Sequence, residues 1–186
     1  EGVELVLKAF DNWNYGPHLT EDARKQMIIA CSDCVNHFQW IINTLKVKTS
    51  EIHLCIGYLK NIEVFKFAVT DRSMGNKLAT KKLISHIILA GNILYMEWYF
   101  SNVLNNNAKI IFTKKNILYS FESKKSEISG WFLHQANILR DKAVTSKGPA
   151  NFGDHIFQEY YHYAINTACR QQNIKLLRIF SKNSRV

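Results

Sequence analysis

The sequence predicts an all-α protein, a solenoid of about five stacked helix-turn-helix units. Three observations favour this fold class. The 186 residues include only two prolines, so few helix breakers interrupt the chain. Apolar residues recur at helical spacing, and the alternating runs that are typical of half-buried strands are not evident. The same apolar pattern also returns along the chain at intervals of roughly 30 residues, which indicates repeated structural units.

Each predicted unit contains a turn position, directly followed by the apolar pattern of a second helix. The turn positions are Cys34, Asn61, Asn92, Lys124 and Asn173. The pattern is complete after the three asparagines, whereas some of its apolar positions are polar after Cys34 and Lys124. An apolar run before each turn supplies the first helix of the unit, and these runs span residues 27–30, 52–56, 83–90, 117–121 and 163–169. Thr49 and Ser50 are expected to cap a helix that begins near Glu51.

Polar connectors are predicted between the units, over residues 46–50, 71–76 and 102–107. Residues 143–153 are predicted to form an insertion loop, since this stretch contains one of the two prolines and spans the widest gap between turns. We expect residues 1–186 to form a single repeat domain, a fragment of a longer chain because it begins with Glu1. The most apolar stretch carries His86, Asn92 and Glu97, so no membrane span is predicted.

Two groups of residues have the composition of metal sites. Cys31-x-x-Cys34 lacks the second cysteine pair that a structural zinc site requires, so we interpret its thiols as core residues. His155, Glu159 and His162 share one helix face and match a zinc ligand set, but their aromatic neighbours favour an ordinary hydrogen bond. We therefore predict no metal and no cofactor. Catalytic motifs such as G-x-S-x-G or a phosphate-binding glycine loop do not occur, so we predict that the protein is not an enzyme.

Charge gives the strongest indication of function, because 24 basic and 15 acidic residues leave a net charge of +9. Successive connectors of a repeat stack lie along one edge, so cations on them would form a row. Such a row increases the association rate of an acidic protein partner. Nucleic acid is the alternative partner, and its binding would weaken steeply with salt. The predicted partner-binding residues are Lys46, Lys48, Arg72, Lys77, Lys81, Lys82, Lys109, Lys175, Arg178 and Lys182.

Three segments of the chain resemble ankyrin repeats: EIHLCIGYLKNIEVFKF (51–67), LISHIILAGNILYMEWYF (83–100) and NTACRQQNIKLLRIF (166–180). The second carries Ala-Gly-Asn at the turn between helices, as ankyrin repeats do. The Thr-Pro-Leu-His start of a standard repeat is missing, and most hairpin glycines are absent. Some units are therefore expected to be plain helix pairs without β-hairpin fingers.

The bias towards Ile, Asn and Lys makes this degenerate array similar to the ankyrin-like multigene-family proteins of African swine fever virus. The resemblance implies a viral host-interaction factor in the host cytoplasm. Such a factor would bind host proteins and antagonise innate immune signalling. The alternative is a basic, helical nucleic-acid-binding protein.

Overall fold

The computed structural model of the chain describes residues 19–71, 81–123, 125–145, 151–170 and 172–183. Within these ranges the secondary structure is helical and contains no strand, which confirms the all-α fold class. Contacts group the chain into two compact units, Glu1–Ile87 and Ile88–Val186. The single domain predicted over residues 1–186 stays a prediction. None of the described helices has the length and apolar character needed to cross a membrane.

The helices of the first unit form two successive pairs. The first pair consists of α1 (Glu21–Ala30) and α2 (Val35–Thr44). The second pair consists of α3 (Thr49–Cys55), which continues into a 3₁₀ turn at Ile56–Tyr58, and α4 (Ile62–Thr70). Helix α5 (Lys81–Ala90) crosses the boundary between the units in sequence. The second unit continues with α6 (Ile93–Asn102), α7 (Ala108–Ile111), α8 (Lys114–Glu122), α9 (Ser126–Thr145), α10 (Asn151–Arg170) and α11 (Ile174–Asn183).

The predicted turn positions mark the starts of the helices that follow them. Helices α2, α4, α6 and α11 begin at the residue after Cys34, Asn61, Asn92 and Asn173. The reason is local at two of these positions: Asn61 Oδ1 accepts the Glu63 N–H at 2.8 Å, and Asn92 Oδ1 accepts the Tyr95 N–H at 3.3 Å. Lys124 lies outside the described residues, and the next helix begins at Ser126.

Two predicted boundaries are wrong. Helix α3 begins at Thr49, so its N-cap is Lys48 and not Thr49 or Ser50. The physical reason is that Glu51 reaches back and its Oε2 accepts the backbone N–H of Lys48 at 2.7 Å. The bounds predicted for the insertion loop, 143–153, are also too wide, because residues 143–145 belong to α9 and residues 151–153 to α10. Residues 146–150, which include Pro149, lie outside the described residues.

Each unit has its own apolar interior. In the first unit Cys31, Ile41 and Leu45 form a buried cluster, against which the half-buried Trp40 and Val47 pack. The apolar pattern of the sequence predicts core positions for seven aromatic residues: Trp40, Phe65, Phe67, Trp98, Tyr99, Trp131 and Phe180. Phe65, Tyr99 and Trp131 are buried. Trp40, Phe67 and Trp98 are half-buried, and the side chain of Phe180 lies outside the description.

An aromatic cluster fills the second unit. Tyr160 of α10 is fully buried, and its ring stacks on Phe132 with 6.1 Å between ring centroids. Its hydroxyl donates to the carbonyl oxygen of Ser129 at 2.7 Å, which satisfies the polar end of the side chain. Phe100 packs edge-to-face on Trp131 at 5.3 Å. These contacts tie α10 and α6 to the long helix α9.

Candidate functional site

The turns of consecutive helix pairs lie directly against each other in the first unit. The backbone N–H of Lys60 donates to Ser32 Oγ at 2.9 Å, and Asn61 Nδ2 donates to the carbonyl oxygen of Asp33 at 2.8 Å. Both bonds join residues 28 positions apart, which is about one repeat of the sequence pattern. Equivalent positions of successive helix pairs are therefore in contact.

A corresponding approach occurs in the second unit, between the turn after α5 and the turn before α9. Gly91 has a φ of +67° and lies so close to the second turn that an added Cβ would sit 2.7 Å from Ser123 Oγ. It would also sit 2.8 Å from Lys125 Cβ. Only glycine fits both this left-handed backbone and this close approach without strain.

Arg24 fixes the connector at the other end of α1. Its Nε donates to Glu51 Oε1 at 2.6 Å, and its Nη2 donates to the carbonyl oxygen of Leu45 at 2.9 Å. The Arg24 and Glu51 side chains are only 16% and 17% exposed. The hydrogen bond from Arg24 lowers the pKa of Glu51, and the Lys48 N–H adds to this effect, together outweighing the opposing effect of burial. The connector from α2 to α3 is thus anchored at both ends.

A groove of about 320 Å³ opens beside this connector. Four polar and four apolar residues line it: Gln39, Asn43, Thr49, Asp71, Ile42, Val47, Ile52 and Phe67. Residues from α2, the connector, α3 and the end of α4 contribute, so both helix pairs form the groove. Polar groups contribute most of the exposed lining, so the groove is a polar surface with a smaller apolar part.

The structure places two predicted cations at this groove. Lys46 and Lys48 are exposed and flank Val47, which lines the groove. Lys46 has a φ of +49° and ends α2 in a Schellman motif. Its N–H donates to the Asn43 carbonyl at 3.3 Å, and the Val47 N–H donates to the Ile42 carbonyl at 3.0 Å. The sequence did not predict the groove, because residues far apart in the chain form its wall.

The other predicted basic residues divide into three sets. Lys175 and Arg178 are exposed and lie three positions apart on α11, so they share one face of that helix. Arg72 and Lys77 lie outside the described residues. Four further lysines belong to helices, but their side chains lie outside the description: Lys81, Lys82, Lys109 and Lys182.

The four cysteines occupy different environments. Cys31 and Cys55 are buried, as predicted for core thiols, and burial raises the pKa of both, that of Cys55 to about 12. The sequence places Cys169, like the other three cysteines, inside an apolar helical pattern, which predicts a core thiol. That prediction is wrong for Cys169, which is exposed in the last turn of α10, off the face that buries Ala164 and Ala168. Cys34 is half-buried, outside the apolar cluster of its neighbour Cys31.

Cys34 instead belongs to a polar group that the sequence analysis missed. Its thiol, a carboxylate oxygen of Asp33 and a ring nitrogen of His37 all lie within 4.8 Å of one another. His37 Nδ1 lies 3.0 Å from Asp33 Oδ1. Partial burial raises the pKa of Asp33, but the hydrogen bond with His37 and backbone N–H groups lower it further, so the net shift is downward. The sequence pattern that indicates this group is Asp33-Cys34-x-x-His37 at the start of α2. It overlaps the more conspicuous Cys31-x-x-Cys34.

The predicted His155–Glu159–His162 face is only partly described. His162 is exposed on α10, and the side chains of His155 and Glu159 lie outside the description.

Comparison with known proteins gives no match to a family model, to a curated protein or to a solved structure.

Proposed function

We propose that the protein is a protein-interaction module built from stacked helix pairs, and that the groove beside the α2–α3 connector receives a segment of the partner. The observation that carries this proposal is the pair of hydrogen bonds between equivalent turns, Ser32 with Lys60 and Asp33 with Asn61. Helix pairs in contact at equivalent positions form a repeat stack, in which neighbouring units share a binding edge. A degenerate ankyrin-like solenoid is the array that this arrangement favours.

The anchoring of the connector supports binding at the groove. Arg24 ties α1 to Leu45 and to Glu51 of the next helix pair, so the groove wall is in place before a partner arrives. A preformed wall avoids the entropic cost of ordering a loop on association. The smaller, apolar part of the lining, from Ile42, Val47 and Phe67, takes an anchoring side chain, and the larger polar part offers hydrogen bonds to the partner segment.

The charge around the groove favours an acidic partner segment. Lys46 and Lys48 are exposed at the connector, and the chain as a whole carries +9. Such a field accelerates the encounter with an acidic protein and suppresses basic partners.

The resemblance to viral ankyrin-like proteins suggests the biological setting of this interaction. We propose that the partner is a host protein of innate immune signalling, bound in the host cytoplasm. The groove binds an acidic segment of that host protein. The bound segment can then no longer contact other signalling proteins, so signalling is inhibited.

Affinity capture with quantitative mass spectrometry tests the proposed interaction. The bait is the wild-type chain, compared with a Lys46→Glu, Lys48→Glu double variant. A Lys114→Glu, Lys115→Glu double variant is the control, since it removes the same charge from exposed lysines at the start of α8. The proposal expects a specific protein that the wild type and the control capture and the groove variant loses. Equal capture by all three baits would overturn the groove as the binding surface.

Nucleic acid binding is the second candidate function, and the exposed pair Lys175 and Arg178 on α11 favours it. The two cations face solvent on one side of a helix, as phosphate contacts require. A gel-shift titration with RNA and DNA at two salt concentrations tests it. The second candidate expects a shift that weakens in high salt and in the Lys175→Glu, Arg178→Glu variant. No shift near physiological salt rules it out.

A further inference from the structure

The turn between α1 and α2 brings three different metal-ligating side chains together. We infer that Asp33, Cys34 and His37 form a binding site for a zinc ion. Their ligand atoms lie within 4.8 Å of one another, and the closest pair, His37 Nδ1 and Asp33 Oδ1, is 3.0 Å apart. Ligand atoms around a tetrahedral zinc are about 3.3–3.8 Å apart, given metal bonds of about 2.0–2.3 Å. Small side-chain rotations therefore suffice to close the site on a metal.

The donor set selects the metal. A thiolate, an imidazole and a carboxylate together suit zinc, whereas calcium and magnesium require oxygen ligands alone. Binding replaces the hydrogen bond between His37 and Asp33 by bonds to the ion. The thiol of Cys34 loses its proton to solvent, and His37 binds as the neutral ring, so the bound state carries two anionic ligands.

The backbone around the three residues is already held in place. Asn61 Nδ2 holds the carbonyl oxygen of Asp33 at 2.8 Å, and the Lys60 N–H holds Ser32 Oγ at 2.9 Å. Cys34 is the N-cap of α2, and His37 lies in the first turn of that helix. The ammonium group of Lys60, the cation on the adjacent turn, is bound to the Ala30 carbonyl at 2.9 Å. Fixed backbone positions are what a metal site requires of its support.

Cys31 does not complete the site, because it is 3% exposed and packs with Ile41 and Leu45. The three ligands therefore leave a fourth position on the ion. Asp33 is exposed and His37 half-buried, so this position opens to solvent and takes a water molecule. The site lies beside the contact between the two turns, and a bound ion would stabilise the turn that Asn61 and Lys60 hold.

Cobalt and zinc titrations of the full chain test this inference. Co²⁺ serves as a coloured substitute for zinc, and its thiolate-to-metal absorption reports a bond to cysteine. We expect one Co²⁺ per chain, displaced by Zn²⁺. Cys34→Ser should abolish the thiolate band, and His37→Gln should weaken Zn²⁺ binding at least about tenfold. Cys169→Ser is the matched control, because it removes an exposed cysteine elsewhere and should leave the titration unchanged.

Folding of the variants is checked by circular dichroism. Serine is a favourable N-cap, and the Cys34 side chain makes no capping hydrogen bond, so Cys34→Ser should fold normally. Absence of Co²⁺ binding in the wild type would overturn the inference. An unchanged thiolate band in folded Cys34→Ser, or loss of the band in Cys169→Ser, would overturn it as well.

Discussion

Arg24 and Glu51 form a two-point ion pair across 27 residues of sequence. The distances are 2.6 Å from Nε to Oε1 and 3.3 Å from Nη2 to Oε2. The pair joins the first helix of one pair to the first helix of the next. Both side chains are largely removed from water, so loss of either charge leaves the other with an uncompensated charge in a partly buried place.

Glu51→Gln should lower the free energy of unfolding by about 1–3 kcal/mol, since it leaves the Arg24 guanidinium without its carboxylate. Urea denaturation measures the change. Glu63→Gln is the control, because the Glu63–Lys66 pair is more exposed and its loss should cost less than about 0.5 kcal/mol. An equal loss of unfolding free energy in the two variants would show that the Arg24–Glu51 pair stabilises the fold no more than the exposed Glu63–Lys66 pair does.

The pH dependence of the same comparison has a definite sign. The pKa of Glu51 is lowered in the folded protein, chiefly by the hydrogen bond from Arg24. Its stabilising contribution is therefore complete above the unfolded pKa of about 4.3 and is lost as the pH falls through the folded pKa. The stability difference between wild type and Glu51→Gln should be constant near neutral pH and shrink below about pH 4. A difference that grows on acidification contradicts this assignment.

Asn61 has two structural roles that a charge change separates. Its Oδ1 caps α4, while its Nδ2 donates to the carbonyl oxygen of Asp33. Asn61→Asp keeps a capping oxygen and loses the donor, so it should cost about 0.5–1.5 kcal/mol in thermal or urea unfolding. Asn92→Asp is the matched control: it keeps the cap of α6 and should be nearly neutral. If both variants are neutral, the contact between the turns contributes nothing measurable.

Lys46 occupies a backbone conformation that favours glycine. Its φ is +49°, whereas the neighbouring Lys48 has a φ of −78°. Lys46→Gly should raise the free energy of unfolding by about 0.5–1 kcal/mol, because it relieves the left-handed strain at the end of α2. Lys48→Gly on the same connector should give no gain. A stabilisation by both substitutions would point to lost charge repulsion as the cause instead.

Gly91 and Gly130 should respond in opposite directions to alanine. Gly91 has a φ of +67°, which is strained for alanine, and an added Cβ would lie closer than 3 Å to atoms of Ser123 and Lys125. Gly91→Ala should therefore lower the free energy of unfolding by about 1–3 kcal/mol. Gly130 lies within α9, where an added Cβ meets nothing within 4 Å. Gly130→Ala should stabilise by about 0.5–1 kcal/mol in the same unfolding experiment. Destabilisation by Gly130→Ala would contradict the open space beside it.

The sequence predicted the features that short-range chemistry determines. Asn61 and Asn92 marked helix starts because an N-cap is made within a few residues of the cap itself. The sequence did not predict that Lys48 is the N-cap of α3, because the capping side chain belongs to Glu51, which lies inside the helix. The sequence did not predict the burial of Tyr160, because its hydrogen-bond partner Ser129 is 31 residues away.

The candidate site was less predictable than the fold. Lys46 and Lys48 were expected at a binding edge, but the groove between them and Phe67 depends on how two helix pairs pack. The group of Asp33, Cys34 and His37 is local, with a signal readable as Asp-Cys-x-x-His at a helix start. The spacing of Cys31 and Cys34 suggests that the two thiols act together, but Cys31 is buried and Cys34 is half-buried beside Asp33 and His37.

Hydrogen–deuterium exchange of the chain, alone and bound to the captured partner, tests the interaction proposal most directly. The proposal expects added protection at residues 39–52 and 67–71, which form the groove wall and the connector. The groove variant Lys46→Glu, Lys48→Glu should lose that protection at the same partner concentration. Protection confined to α11, around Lys175 and Arg178, would contradict the groove as the site of recognition.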